Sequence, residues 1–311
     1  MDLLLQTLIR PLSMKNKIVL FGAVGLTLAF VGLRSAQSNE APHPVEVRPS
    51  TVKPFPIPEN LDFAGEALPL AEADVKEKLD REMLVNSYWQ SNNLLMLKRS
   101  AKFFPIIEPI LAKNGIPEDF KYLSLIESGL QNVVSPAGAS GYWQIMKSTG
   151  LENGLEINKE VDERYHIEKS TQVACTYLKE AYERFGNWTL AAASYNMGMA
   201  GTARRLNEQG VDSYYDLLLN TETARYVYRI AAVKHIHENL ADFGYVYHQD
   251  QGYSFPKMDT ILVNTSVADW VSWARSQGVT YKTLRTYNPW IQSQQLSNST
   301  NKAYQIWVPS K

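Results

Sequence analysis

The sequence has very little cysteine and no excess of charge of either sign. Among its 311 residues, Cys175 is the single cysteine, so an intrachain disulfide is excluded and cysteine does not indicate the redox compartment. Lysine and arginine number 31 against 32 aspartate and glutamate residues, which argues against a nucleic-acid partner. The five histidines are scattered, and His235 and His237 diverge on a predicted helix, so we expect no metal site.

One carboxylate occupies a position where a core residue is expected. Residues 117–130 predict a short amphipathic helix that begins at Pro117. Glu127 lies on its apolar stripe, four residues after Leu123 and three before Leu130. A carboxylate in that position is either paired with a cation or kept largely protonated by desolvation, and a protonated glutamate can serve as a general acid. The alternative is a glutamate that tilts outward at the helix end.

Three further motifs follow Glu127-Ser128 along the chain. The first is a glycine-rich and serine-rich loop, residues 135–141, which leads into Trp143 and Gln144. An aromatic face followed by an amide suits a saccharide ligand. The second is a small-residue helix that we expect from Trp188 to Gly198. The third opens a helix at residues 222–227. These two contain Tyr195 with Asn196, and Tyr226, respectively.

Together the four motifs resemble the lytic murein transglycosylases of the goose-lysozyme-like superfamily, and in particular the membrane-bound lytic murein transglycosylase D group. The resemblance covers roughly residues 75–245. It implies a mainly α fold, with a lysozyme-like, SLT-type helical catalytic domain. It also implies that Glu127 is the catalytic residue and that the substrate is bound by a set of motif residues: Ser128, Trp143, Gln144, Tyr195, Asn196 and Tyr226.

The same resemblance implies a reaction that needs one carboxylate. Glu127 would protonate the bond between N-acetylmuramic acid and N-acetylglucosamine and would then act as a base on the C6 hydroxyl, forming 1,6-anhydromuramic acid. Ordinary glycosidases use two carboxylates, and we expect no second acid inside the four motifs. Asp162, Glu163 and Arg164 predict a solvated or structural ion-pair cluster. No metal or organic cofactor is required. The alternatives are a muramidase that uses water and a non-catalytic protein that binds cell wall.

The N-terminal region contains the one strongly apolar run that we interpret as a membrane segment. Residues 18–33 are sixteen apolar or small residues, long for a signal-peptide core and short for a membrane span. Basic residues before the run place its start in the cytoplasm. Because Arg34-Ser35-Ala36 is a poor cleavage site, we predict an anchor in the inner membrane and a catalytic body on the periplasmic side. The alternative is a cleaved signal peptide and a soluble periplasmic protein.

The remaining boundaries follow from composition. Residues 1–34 form the signal or anchor segment, and residues 35–73 carry seven of the fifteen prolines, which predicts an extended linker. A helix is predicted from Asp74 to Leu97, and the catalytic domain is expected over residues 74–250. Peptidoglycan glycan strands are the expected partner, and the sequence does not indicate the oligomeric state.

The C-terminal residues 253–311 predict a small βααβ unit. Residues 260–263 and 303–308 are expected as strands, and residues 266–276 and 280–287 as helices. This order resembles a LysM peptidoglycan-binding module, although the usual Gly-Asp-Thr after the first strand is absent. Some of its tryptophans could stack on sugars, and some must form the core of so small a unit: Trp270, Trp273, Trp290 and Trp307.

Overall fold

The computed structural model describes residues 52–310, and within that range the protein is mainly helical. This confirms the predicted fold class. A short hairpin and eight helices form the body, and two further helices with a two-stranded sheet form the C-terminal module. The elements of the body are β1 (Asp62–Phe63), β2 (Glu66–Ala67), α1 (Ala73–Tyr88), α2 (Gln90–Lys113), α3 (Phe120–Ser128), α4 (Lys147–Glu152), α5 (Ile167–Phe185), α6 (Trp188–Met197), α7 (Met199–Gln209) and α8 (Thr223–Glu238).

The core of the body forms where the apolar faces of α1, α2, α3, α5, α6 and α8 meet. Helix α3 buries the stripe that the sequence predicts, because Phe120, Leu123 and Ile126 are almost fully removed from solvent. Helix α6 is rich in alanine, and its small side chains allow α5 and α8 to pack closely against it. These contacts hold α3 and α8 side by side, with Glu127 and Tyr226 between them.

The helix predicted from Asp74 to Leu97 is wrong in its extent. The chain bends at Trp89, which ends α1 and precedes α2, and α2 then continues to Lys113. Two prolines, Pro105 and Pro109, lie inside α2. Proline normally interrupts a helix because it lacks an N–H donor and its ring clashes with the preceding turn, so the sequence pattern could not show that the helix passes through them.

The part of the predicted linker that the structure describes is not an extended spacer. Phe55, Leu61, Phe63 and Leu68 are buried against the helical core. In the same segment, the carboxylate of Glu66 accepts hydrogen bonds from the first N–H groups of α6, at 2.6 Å from Trp188 and 2.8 Å from Thr189. Apolar residues between the prolines therefore anchor this segment to the catalytic body.

The C-terminal module has the predicted βααβ order. Strands β3 (Met258–Val263) and β4 (Tyr304–Pro309) pair antiparallel, and α9 (Trp270–Ser276) and α10 (Tyr281–Tyr287) lie between them in sequence. Helix α9 begins later than predicted, because the cap is the carboxylate of Asp269 and not Ser266. Of the four tryptophans, Trp270 and Trp290 are buried in the module, and Trp273 and Trp307 are partly exposed.

The module packs directly on the body at the segment that contains Asp162, Glu163 and Arg164. Val161 forms a β-bridge with Ile291, and the N–H of Asp162 donates to the carbonyl of Trp290 at 2.9 Å. Arg164 pairs with Asp162 at 2.7 Å, while Glu163 pairs with Lys302 of the module at 2.9 Å. All three motif residues are buried. The structural ion-pair interpretation is thus confirmed, whereas the solvated one is wrong.

The predicted membrane segment, residues 18–33, lies outside the described residues. Within residues 52–310, no helix has the length and apolar character that crossing a membrane requires.

Candidate active site

Glu127 and Tyr226 face each other across the junction of α3 and α8. Glu127 is in the last turn of α3, and Gly129 ends the helix in the left-handed conformation. Tyr226 is in the first turn of α8, on the same buried stripe as Val227, Ile230 and Val233. Its hydroxyl donates a short hydrogen bond to Oε1 of Glu127. Two helices of the packed core therefore fix the position of this carboxylate.

Burial raises the pKa of Glu127 above that of an ordinary glutamate, because removal from water disfavours the charged form. The carboxylate of Glu222 adds to this increase. The hydrogen bond from Tyr226 and the positive charge of Arg229 oppose it, because both stabilise the carboxylate. Burial also raises the pKa of Tyr226 well above the usual tyrosine value, so its hydroxyl keeps its proton and acts as a donor. A raised pKa increases the fraction of Glu127 that carries a proton at a given pH, and the protonated form can act as an acid.

An open cleft of about 260 Å³ contains this carboxylate. The loop before α4 forms one wall through Ser135 and Gln144. Gln144 has a positive φ of 48°, and its amide donates to the carbonyls of Gly141 at 2.8 Å and Val133 at 3.1 Å. These bonds use the amide nitrogen and leave the amide oxygen of Gln144 as the acceptor at the cleft wall.

The end of α6 forms another part of the cleft through Asn196. Its side-chain oxygen accepts from the hydroxyl of Thr223 at 2.7 Å, and its amide nitrogen donates to Glu222 at 3.3 Å. Tyr195, one residue earlier, lines an adjoining pocket that also includes Gln144. The hydroxyl of Tyr195 donates to the carbonyl of Trp143 at 2.8 Å. The structure therefore brings four of the predicted residues together around Glu127, namely Gln144, Tyr195, Asn196 and Tyr226.

Two predicted substrate contacts do not face the cleft. Trp143 is fully buried, and its indole N–H donates to the hydroxyl of Thr171 at 2.8 Å. Ser128 is also buried, and its hydroxyl donates to the carbonyl of Tyr142 at 2.7 Å. Both side chains instead hold the loop that carries Gln144 against the helical core. The prediction that they contact substrate is wrong, because adjacent positions on a helix or loop face different directions.

The sequence interpretation missed three charged residues in the cleft. Glu222, Arg225 and Arg229 line it together with Tyr226. The expectation of a single acid in the motifs is therefore wrong for the cleft as a whole, because Glu222 belongs to the third motif and faces the same space. Helical spacing from Tyr226 could have identified Glu222 and Arg229, since positions three and four apart share a helix face, whereas Arg225 is adjacent to Tyr226 and gives no such signal.

Within residues 52–310, no cluster of three histidine, cysteine or acidic side chains is arranged to hold a metal ion. The described cleft presents the carboxylate of Glu127 together with hydroxyl, amide and guanidinium groups that can form hydrogen bonds.

Comparison with known families identifies two domains in the chain. Residues 104–217 match the transglycosylase SLT domain, and residues 259–311 match the soluble lytic transglycosylase C-terminal LysM-like domain. The first match includes Glu127 and the motifs at residues 135–144 and 191–198, and the second coincides with the βααβ module.

The chain is also similar in sequence to two curated proteins. The chain is 27% identical over 191 residues to membrane-bound lytic murein transglycosylase D of Escherichia coli strain K12, and equally to that of Escherichia coli O6:H1. The alignment covers 58% of this chain and 41% of each relative. The chain thus matches less than half the length of these relatives.

Solved structures of lower similarity include two lytic transglycosylases. The 70 kDa soluble enzyme from Escherichia coli has 22% identity and a TM-score of 0.38, covering 44% of this chain and 24% of that one. An inactive mutant of the lytic transglycosylase Slt from Pseudomonas aeruginosa has 18% identity and a TM-score of 0.35, covering 45% and 24% respectively.

Proposed function

Since this chain contains an SLT transglycosylase domain followed by a LysM-like domain, we propose that it is a peptidoglycan lytic transglycosylase. The bond cleaved would be the β-1,4 bond from N-acetylmuramic acid to N-acetylglucosamine. The observation that carries the proposal is the half-buried carboxylate of Glu127, which has a raised pKa, a hydrogen bond from Tyr226 and an open cleft in front of it.

The reaction begins with protonated Glu127. Its proton passes to the glycosidic oxygen, the bond from C1 of the muramyl residue to that oxygen breaks, and the N-acetylglucosamine part leaves as an alcohol. The N-acetyl group of the muramyl residue assists at C1, as in glycosidases that lack a second protein carboxylate. Ionised Glu127 then accepts the proton of the C6 hydroxyl, and O6 bonds to C1. The product is a 1,6-anhydromuramyl end, and Glu127 is again protonated.

The other cleft residues would position the sugar. Asn196 and Gln144 offer amide groups that suit the N-acetyl and hydroxyl groups of the glycan. Tyr226 holds the carboxylate of Glu127 in one orientation, and Tyr195 supports the loop of Gln144 through its bond to Trp143. The attacking hydroxyl belongs to the same sugar, so proximity favours it over water.

Replacement of Glu127 by glutamine tests this assignment. The amide has the same size but cannot serve as an acid, so turnover of purified sacculi should fall by about 100-fold or more. Circular dichroism and sacculus binding should remain close to those of the unchanged protein. A folded variant that retains more than about a tenth of the activity would contradict the proposed role.

A hydrolase that cuts the same bond with water is the second candidate. The observation in its favour is Glu222, a second carboxylate in the cleft that could act on a water molecule. Glu222 is exposed and accepts a hydrogen bond from Asn196, an arrangement that also suits a positioning role. The ends of the product strands distinguish the two reactions.

We also infer a location in the cell envelope. The curated relatives are described as membrane-bound, and residues 18–33 supply an apolar run that could serve as an inner-membrane anchor, with the body on the periplasmic side. The full-length protein should then remain with membranes after carbonate extraction. A mature N-terminus near Ala36 in a soluble extract would instead identify a cleaved signal peptide.

A further inference from the structure

Two arginines on α8 line the cleft, and their surroundings differ. Arg225 is engaged by a carboxylate, because its Nε donates to Oε1 of Glu82 at 2.6 Å, and Glu82 is only 1% exposed. Its charge is therefore balanced within the protein. Arg229, one turn further along, forms no salt bridge with any carboxylate among residues 52–310. Its side-chain hydrogen bond in that range is from Nη2 to the backbone carbonyl of Ile126, at 3.2 Å.

Arg229 is also close enough to Glu127 to influence it. Its positive charge lowers the pKa of Glu127, while burial and the carboxylate of Glu222 raise it, and burial has the largest effect. Because Glu127 resists ionisation, it is a poor permanent counter-ion for Arg229. A guanidinium that lines an open cleft without a balancing carboxylate is suited to bind an anionic group of a ligand, and its planar donors match a carboxylate.

The position of Arg229 on α8 indicates where a bound anion would lie relative to Glu127. Tyr226, which contacts Glu127, precedes Arg229 by three residues on α8, a rise of about 4.5 Å along the helix axis. Glu222 and Asn196 lie at the opposite end of the same wall. The cleft is therefore cationic on one side of Glu127 and has an exposed carboxylate on the other.

We propose that Arg229 is a specificity residue that binds a carboxylate carried by the muramyl residue beside the scissile bond. The inference rests on the proposed function. In a strand without stem peptides, the carboxylate is the free lactyl group of muramic acid, and in a strand with stem peptides it belongs to the peptide. Both offer the same chemistry to a guanidinium. A glycan of N-acetylglucosamine alone has no such group and would lose this contact.

Binding measurements in a non-cleaving background test the proposal. Full-length protein carrying Glu127→Gln is titrated calorimetrically with three soluble glycan strands. The first has lost its stem peptides and bears free lactyl carboxylates, the second is the same strand with those carboxylates converted to methylamides, and the third retains its stem peptides. Each titration is repeated with Arg229→Gln added, and with Arg229→Lys, which keeps the charge without the planar donors.

A matched control removes one positive charge elsewhere. Arg204 is exposed on α7, so Arg204→Gln reports any general attraction between the protein and an anionic strand. We expect the carboxylated strand to bind about 10-fold or more tightly than its methylamide form, because a hydrogen bond to a charged group is lost on conversion. Arg229→Gln should abolish that preference, Arg229→Lys should restore part of it, and Arg204→Gln should leave it unchanged.

The strands also identify the source of the carboxylate. If Arg229→Gln weakens binding of the peptide-bearing strand but not of the free-lactyl strand, the group recognised is in the stem peptide. Equal weakening of the carboxylated and methylamide strands, or no weakening of any strand, would overturn the proposal. Digestion of sacculi by the unchanged protein is measured in parallel. A lack of any cleavage would reject the proposed function, and the binding preference would still be decided by the titrations.

Discussion

At the scale of single residues, the pKa of Glu127 is set by a balance between burial and a few polar contacts. Burial favours its protonated form, whereas the hydroxyl of Tyr226 and the charge of Arg229 favour the ionised form. The proposed reaction needs both forms in turn, since Glu127 first donates a proton and then accepts one. Removing one contact should therefore shift the pH range of activity as well as lower the rate.

Tyr226→Phe tests this balance, because it removes the hydroxyl and keeps the buried ring. The lost hydrogen bond had lowered the pKa of Glu127, so the variant should have a higher pKa at that residue. Activity that requires protonated Glu127 is lost as pH rises through this pKa, so the alkaline limb of kcat/KM should move to higher pH. We also expect kcat to fall by about 10-fold to 100-fold. An alkaline limb in the same place as that of the unchanged protein would contradict the assigned contact.

The residues of the site were only partly predictable from the sequence. The motifs identify Glu127, and helical spacing identifies the buried stripe that carries Tyr226. Trp143 and Ser128 were wrongly expected to contact substrate, because a motif fixes which residues are present and not which way each side chain points. Arg229 was missed because it lies beyond the motif, although it shares a face of α8 with Tyr226.

At the scale of elements, the loop between α3 and α4 depends on glycine at one position. Gly141 has a φ of +79°, and a Cβ there would overlap the backbone carbonyl of Arg164. Gly138 in the same loop has a similar φ of +87°, yet a Cβ there would meet nothing within 4 Å. Gly141 therefore lets the loop that carries Gln144 pack against the backbone of Arg164, which belongs to the segment that contacts the C-terminal module.

This pair of glycines gives a matched comparison. Gly138→Ala should lower the free energy of unfolding by about 1–2 kcal/mol, the usual cost of a side chain in the left-handed region. Gly141→Ala should lower it by at least about 2 kcal/mol more, because a buried backbone contact must also open. Urea unfolding measures both values. Equal losses of stability in the two variants would contradict this prediction, because they would show that the backbone at Arg164 moves away from residue 141 at little cost in free energy.

Element boundaries were predictable where local rules decided them. Gly198 follows the last residue of α6 as its C-cap, and α10 begins within one residue of the predicted start at residue 280, as the sequence indicates. The bend at Trp89 and the passage of α2 through Pro105 and Pro109 were not predictable, because tertiary packing overrides local preference there. The packing of the proline-rich segment was missed for the same reason, since Phe55 and Phe63 have partners only in the folded body.

At the scale of the described part of the molecule, His166 lies where the body meets the C-terminal module. Its ring stacks on Trp290, with centroids 6.1 Å apart, and lies edge-on to Trp307. Burial, with a smaller contribution from the charges of Lys169 and Lys302, lowers the pKa of His166 to about 4, and the carboxylate of Glu163 opposes this shift. The junction thus holds a histidine in its neutral form.

The low pKa of His166 predicts a pH-dependent stability. An unfolded histidine has a pKa of about 6.5, so the folded state binds this proton more weakly than the unfolded state does. The contribution of His166 is fully present above about pH 6.5 and is lost as pH falls towards 4. Between pH 7 and 4.5, the unchanged protein should lose about 2 kcal/mol more unfolding free energy than His166→Gln.

Urea unfolding at both pH values measures this difference. The exposed His248 provides the control, because His248→Gln should retain the full pH dependence. The buried His237, whose pKa is also lowered, is present in all three proteins and cancels in the comparison. If the unfolding free energies of His166→Gln and the unchanged protein depended on pH in the same way, the folded junction would not disfavour protonated His166, and the prediction would be wrong.

The products formed from purified sacculi test the central claim most directly. Mass spectrometry distinguishes a 1,6-anhydromuramyl end from a reducing muramic end, because the anhydro product is lighter by one water and resists borohydride reduction. The account predicts that anhydro ends dominate, since the C6 hydroxyl of the same sugar outcompetes water by proximity, and that they disappear with Glu127→Gln. A digest dominated by reducible muramic ends would contradict it and would make Glu222 the candidate for activating water.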